Sequence, residues 1–373
     1  MKRKTLVVLS PAFPAKEKET HWVPTQQLFV RTLSARFPDL QVMVLTLYYP
    51  GKTRFLWHGV EVKGFDGGKW KGVGRMVFWG AVWRALRRIS RDNEVIGLFS
   101  FWCGECALIG HYWGLLYGVR HLCWICGQDA RAGNKMVKFI RPRSGELIAM
   151  SDFLGREFYR NHGVRPGYVI PNGIEPGAFP GGGGSGFGSR GSRDRDIDIL
   201  GAGSLSALKQ YMVFVEIVRS LAPSVPHIRS VICGEGEDRQ ALEGFIREHG
   251  LGEHITLVGE KAHEDVLGLM RRTKVFLHTS SYEGFGVVCL EALYAGAQVI
   301  SFCKPMDEDI PRWHIARDAE EMRRLAGELL SEPAPVYTPV LRFTMEESVG
   351  EVMRLFEGGE GGIVGRSGVD SRC

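Results

Sequence analysis

Two glutamates, Glu283 and Glu291, flank a glycine-spaced turn in the stretch Lys274-Val-Phe-Leu-His-Thr-Ser-Ser-Tyr-Glu283-Gly284-Phe285-Gly286-Val-Val-Cys-Leu-Glu291-Ala-Leu-Tyr-Ala-Gly296. Paired carboxylates can act as acid and base in glycoside hydrolysis, and their spacing tests that idea. A helix running from Gly284 puts the two acids on the order of 12 Å apart along its axis, at about 1.5 Å per residue. That exceeds the roughly 5–5.5 Å of a retaining hydrolase pair and the roughly 9.5 Å limit of an inverting one. The acids are better suited to gripping two parts of one extended ligand. Between them, Gly284 and Gly286 let backbone approach a ligand, and a helix start offers unpaired N–H groups and a positive dipole end where phosphate can sit. Three further loops follow apolar runs: Gly201-Ala-Gly203-Ser204-Leu205 leading to Lys209, Gly234-Glu-Gly236, and Gly259-Glu260-Lys261. Lys209 contributes a point charge suited to a diphosphate.

Such loops act together only if the strands before them share one sheet edge, and the chain is patterned for that. Over 1–175, strand-like runs at 6–9, 41–48, 95–101 and 121–125 alternate with helical patterns such as 24–37. Residues 147–154 read as a short strand entering a helix capped by Ser151 or Asp152. The Pro-Asn172-Gly173 turn closes this half. Residues 181–193 are Gly- and Ser-rich and cannot hold a core. Strand and helix then alternate again. Strands are expected at 197–200, 228–233, 255–258, 275–277 and 298–302, and helices up to 221, after 284, over 319–330 and over 345–356. The fold class is therefore α/β. The expected domains are 1–175, joined by the C-terminal helix 345–357, then a 176–196 linker, a second domain over 197–340, and a disordered tail from 358 to 373. Ligand is expected beyond the carboxyl ends of the strands in both halves, including the loop holding His21.

A chain of 373 residues, 44% hydrophobic and 24% charged, suits two ordinary globular domains. Its net charge of +5 fits anionic ligands and is too weak for a nucleic-acid binder. No apolar run reaches the roughly 18 residues of a membrane span. The apolar part of the N-terminus is too short for a signal sequence and reads as a first buried strand. Of the eight cysteines, Cys103 with Cys106 and Cys123 with Cys126 form two C-x2-C pairs sixteen residues apart, a spacing compatible with zinc. Against zinc, residues three apart on a strand point to opposite faces, so buried, reduced thiols of a cytoplasmic protein are the expectation and no metal site is assigned. The segment 69–91 mixes Trp70, Phe78, Trp79 and Trp83 with Arg84, Arg87, Arg88 and Arg91 at helical spacing. It reads either as a core-facing helix with solvated arginines or as a peripheral contact with the inner face of an anionic membrane.

From about residue 5 to about 300 the chain resembles family 4 retaining glycosyltransferases. Glu283-Gly284-Phe285-Gly286 with Glu291-Ala is similar to their E-x7-E element, and Ile148-Ala-Met-Ser151-Asp-Phe-Leu and Ile170-Pro-Asn172-Gly173-Ile resemble two more of their motifs. Gly203-Ser204-Leu205 with Lys209 is similar to their phosphate loop, Gly234-Glu-Gly236 to their second glycine loop, and Val258-Gly259 to their base-contacting turn. The resemblance implies a GT-B architecture of two Rossmann-like domains facing across a cleft. It also implies transfer, with retention and without metal, from a nucleotide-diphosphate sugar to a glycan or lipid-linked acceptor of surface polysaccharide or glycolipid synthesis. No cofactor beyond the donor is implied. In that reading Glu283 contacts the donor sugar, the Phe285 and Gly286 amides meet diphosphate or sugar, Glu291 binds ribose hydroxyls, and Lys209 binds the diphosphate. Glu260 joins the donor set beside Gly259.

The chain departs from the family in three places. Ser204 stands where an arginine is usual, Cys126 of Cys126-Gly127-Gln128-Asp129 stands where a histidine is usual, and the first loop lacks a Gly-Gly pair. His21, Cys126 and Asp129 are the acceptor-side candidates. Two other functions fit the same pattern: a non-catalytic nucleotide-sugar-binding homologue or partner subunit, and a sugar-nucleotide epimerase of the same fold.

Overall fold

Runs such as 6–9 and 275–277 carry apolar side chains on both faces, and parallel strands covered by helices satisfy such runs. A computed structural model describes residues 2–19, 23–179 and 195–358. His21, residues 180–194 of the expected linker and residues 359–373 of the expected tail lie outside the described residues. The chain divides into two units, 1–172 with 345–373, and 173–344.

The first unit runs β1 (Lys4–Ala12), α1 (Pro24–Arg36), β2 (Gln41–Tyr49), β3 (Thr53–Trp57), β4 (Val60–Gly64), α2 (Gly74–Asp92), β5 (Glu94–Phe101) and α3 (Glu105–Tyr117). It continues with β6 (His121–Ile125), α4 (Met136–Ile140), β7 (Leu147–Ala149), α5 (Asp152–His162) and β8 (Tyr168–Val169). The sheet order is β3-β4-β2-β1-β5-β6-β7-β8, parallel except for the antiparallel β3–β4 hairpin. Phe29 stacks on Phe99 at 5.0 Å, and Trp124 meets Phe29 edge-on at 5.1 Å, so aromatic rings lock α1 to the sheet. Ser151 caps α5, its Oγ accepting the Leu154 N–H at 3.1 Å.

The second unit runs β9 (Ile197–Ala202), α6 (Tyr211–Leu221), β10 (Ser230–Cys233), α7 (Arg239–Glu248), β11 (Ile255–Gly259), α8 (His263–Arg271) and β12 (Thr273–His278). Then follow α9 (Val287–Tyr294), β13 (Gln298–Ser301), β14 (Trp313–Ile315) and α10 (Ala319–Leu330). Its parallel strands are ordered β11-β10-β9-β12-β13-β14. The core over one face gathers Phe214, Val215 and Val218 of α6 with Ile199, Ile232 and Val275 of the sheet, all buried. The last helix, α11 (Met345–Phe356), belongs to the first unit. There Ser348 Oγ donates to Pro171 O at 2.7 Å and Phe356 meets Phe99 edge-on at 6.4 Å.

Three local expectations change. The helix expected over 69–91 starts at Gly74, and residues 67–69 form a separate 3₁₀ turn. The helix expected after Gly284 starts only at Val287, because Gly286 at φ 83° is left-handed and cannot be helical. The straight-helix distance between Glu283 and Glu291 therefore does not apply. The β3–β4 hairpin, α3, α4 and β14 were not anticipated. β3 is short and half exposed, and α3 is apolar nearly all round, so neither shows a clear period.

Candidate functional site

In the second unit the chain adds β10 and β11 on one side of β9, then returns to place β12 on the other. The gap between the loops after β9 and β12 is thus the sheet's topological switch point, where open α/β sheets bind ligands. These two loops are stitched together. Thr279 Oγ1 donates to Lys209 O at 2.7 Å, and the Ser281 N–H donates to Leu208 O at 3.1 Å. The stitching brings Lys209 Nζ to 2.6 Å from Glu283 Oε2, with both side chains about a fifth to a quarter exposed (21% and 24%). His278, at the end of β12 and buried, donates through Nε2 to the same Glu283 oxygen at 3.2 Å. Burial pushes the Glu283 carboxyl up, but the His278 hydrogen bond and the Lys209 charge outweigh it and hold its pKa down to about 2. Glu283 is an ionised acceptor at neutral pH.

Glu291 lies one turn into α9, and its Oε1 is 2.7 Å from His263 Nε2, the first residue of α8. Its side chain is 14% exposed, against 52% for that of His263. The Phe285 ring is buried, edge-on to Phe343 at 5.8 Å and to Trp313 at 6.5 Å. What Phe285 can offer a ligand is therefore backbone, since its ring anchors the turn that precedes α9. Gly284 sits within that turn.

The loops after β10 and β11 differ from a simple ligand cradle. A Cβ on Gly234, at φ 151°, would fall 1.9 Å from Gly203 O, so this glycine lets two loop backbones touch. The Gly203 N–H donates to Cys233 O at 3.0 Å and the Gly234 N–H to Gly259 O at 2.9 Å, chaining the three loops side by side. Ser204 and Glu260 are exposed at their rims. Glu235 faces Arg239 at 2.5 Å beside Gly259.

In the first unit Asp129 is engaged within the protein. It is buried, and its oxygens accept N–H groups of Cys103 at 2.8 Å, Cys126 at 3.0 Å and Gly127 at 2.8 Å. It latches the loop after β5 to the loop after β6. Burial pushes its pKa above the ordinary carboxylate range against the pull of those amides. Cys126 is half-buried, its thiol donating to Trp124 O at 3.3 Å and pushed well up in pKa by burial. Cys103, Cys106 and Cys123 are buried free thiols, and among the described residues no group of three or more His, Cys, Asp or Glu is placed to hold a metal.

Sequence reasoning missed His278, His263, Thr279 and Ser281. The Thr279-Ser-Ser281 run and a histidine closing an apolar strand five residues before Glu283 were the available signals, while Leu208 and Lys209, which the run meets, and Glu291, which His263 meets, lie in segments distant from them.

Residues 187–310, about a third of the chain, match the family model for glycosyl transferases group 1. The chain is 28% identical over 186 residues to a glycogen synthase of Mycobacterium tuberculosis, covering 49% of this chain and 43% of that one. It is 25% identical over 224 residues to the phosphatidylinositol N-acetylglucosaminyltransferase gpi3 subunit of Schizosaccharomyces pombe, covering 57% and 47%. It thus spans less than half the length of these relatives. Among solved structures, Anabaena HepE in complex with UDP-glucose superposes with a TM-score of 0.63 at 16% identity over 94% of both chains. The fold of two parallel-sheet α/β units is that of GT-B glycosyltransferases.

Proposed function

We propose that this chain is a glycosyltransferase that moves a sugar, with retention and without a metal, from a nucleotide-diphosphate sugar to a glycan or lipid-linked acceptor. The observation that carries the reading is the pairing of Lys209 with Glu283 at the β9/β12 switch point. An ammonium has three donors. One meets Glu283, and the others are free to meet the diphosphate. Glu283, held ionised, accepts hydrogen bonds from donor-sugar hydroxyls, and Glu291 does the same for the ribose in exchange for His263.

As the bond between the anomeric carbon and the leaving phosphate oxygen lengthens, negative charge grows on the diphosphate. Lys209 and the positive dipole end of α9 stabilise that charge more than the ground state, which is what lowers a barrier. The acceptor oxygen bonds to the anomeric carbon, and its proton leaves with the nucleoside diphosphate.

The test follows nucleoside diphosphate release from a panel of nucleotide sugars, with and without candidate acceptors, for wild type and Glu283→Ala. Release with at least one donor, reduced about a hundredfold or more by the substitution, is expected. Tight donor binding without release from any donor, unchanged in Glu283→Ala, replaces this reading with that of a binding protein.

A further inference from the structure

We propose that the face of the first unit formed by α2, α3 and α4 docks on an anionic phospholipid bilayer, its apolar part entering the acyl region while an arginine row meets lipid phosphates. The nineteen-residue α2 runs about 28 Å at about 1.5 Å per residue. Its inner face, with Phe78, Val82, Leu86 and Ile89, is buried in the core. Its outer face changes character along its length. Met76 and Val77, 68% and 54% exposed, occupy the first turn, and Val73 just before it is 82% exposed. Arg84, Arg87, Arg88 and Arg91 occupy the last turns, all exposed.

The neighbouring helices extend the apolar part. Leu115 and Leu116 of α3 are 49% and 65% exposed, and Phe139 of α4 is 66% exposed. Trp79 and Trp83 line a groove of about 560 Å³ with Leu108, Tyr112, Met136 and Phe139. Tyr112 OH closes one end of the pair α3–α4 by donating to Phe139 O at 2.8 Å. Large apolar side chains gathered in one exposed patch mark an interaction surface. The charges within the apolar half are satisfied internally: Glu105 accepts from Arg75 Nε at 2.6 Å and from Trp79 Nε1 at 3.2 Å.

Charge identifies the partner. The four arginines border a second groove of about 600 Å³ whose floor is Trp113 and Tyr117. Asp92 is the acid that pairs with them, 2.8 Å from Arg91 and 3.9 Å from Arg88. On α4, exposed Lys138 adjoins Phe139, and exposed Lys135, Arg141 and Arg143 flank the helix. Leucine, valine and phenylalanine for acyl chains, tryptophan and tyrosine for the headgroup level, and a cationic border for phosphate make the pattern of a helix lying in a membrane interface. Among the described residues no helix is long and apolar enough to cross a membrane. Lipid docking of this face stands apart from the transfer reaction proposed above, and its assay reads no activity.

The full chain is sedimented with vesicles of phosphatidylcholine alone or mixed with phosphatidylglycerol, at low and high salt. Wild type is expected to sediment with the mixed vesicles, to stay in solution with phosphatidylcholine, and to be released by salt. The R84E/R87E/R88E/R91E variant is expected to lose affinity by about a hundredfold or more. Brominated acyl chains are expected to quench wild-type tryptophan fluorescence, and the L116E/F139E variant to lose that quenching. Thermal unfolding checks that both variants fold, and wild-type quenching stands even if they do not. Three results overturn the proposal: wild type left in solution with anionic vesicles, undiminished binding by the arginine variant, or a stable dimer in solution that L116E/F139E dissociates and that vesicles do not compete for.

Discussion

Lys209 Nζ and Glu283 Oε2 lie 2.6 Å apart although 74 residues separate them. The strands that precede them, β9 and β12, are hydrogen-bonded neighbours, with Leu200 opposite Phe276. Sheet topology thus builds a charge pair at the position in the second unit where strand order reverses. A double-mutant cycle with Lys209→Ala and Glu283→Gln, followed by urea unfolding, is expected to give a coupling of about 1 kcal/mol. Additive effects of the two substitutions show that the pair does not form in solution.

Glu283 also links stability to pH. Its folded pKa, about 2, lies below its ordinary 4.5, so the stability it contributes is fully present above about pH 4.5 and is lost as pH falls toward 2. Wild type minus Glu283→Gln unfolding free energy, measured from pH 6 downward, is expected to shrink across that window. A constant difference there contradicts the ionised, paired state.

His278 holds the same carboxylate from the buried side. His278→Ala is expected to raise the Glu283 pKa and move the acid loss of stability to higher pH. It is also expected to cut kcat by about tenfold or more through misplacement of the carboxylate, with little change in donor KM. His278→Gln, which keeps a donor, is expected to recover part of both effects. A change confined to KM shows instead that His278 supports donor binding alone.

Asp129→Ala removes the acceptor of three buried N–H groups, those of Cys103, Cys126 and Gly127. Each unsatisfied group costs about 1–3 kcal/mol, so a loss of about 3 kcal/mol or more is expected by chemical denaturation. An unchanged unfolding midpoint contradicts the latch role of Asp129.

Two glycines separate close packing from mere helix content. Gly234→Ala drives a Cβ into Gly203 O and is expected to destabilise by about 3 kcal/mol. Gly244, inside α7 with nothing within 4 Å of an added Cβ, is expected to gain about 0.5–1 kcal/mol as alanine. Equal effects at the two positions contradict the close approach of the loops after β9 and β10.

Much of this molecule is local information. Apolar runs such as 275–277 named their strands, because a strand buried on both faces needs nothing but hydrophobic side chains, and glycines and Ser151 marked the turns and caps. The residue types proposed for donor binding, Lys209, Glu283 and Glu291, stand out in the sequence because phosphate and hydroxyl recognition demands those chemistries and glycine-led loops follow the strands. What a side chain meets was not legible. Strand order put Lys209 on Glu283, a histidine closing β12 turned out to share that carboxylate, and Gly234 proved to serve backbone against backbone. Asp129, an acceptor-side candidate by resemblance, gathers three amides from two loops, a latch that its position in the sequence does not show. The Lys209 pair, the Gly234 approach and the link from Asp129 to Cys103 depend on which strands are neighbours, an adjacency that a one-dimensional pattern of periods and turns does not encode, whereas His278 meets Glu283 only five residues along the chain.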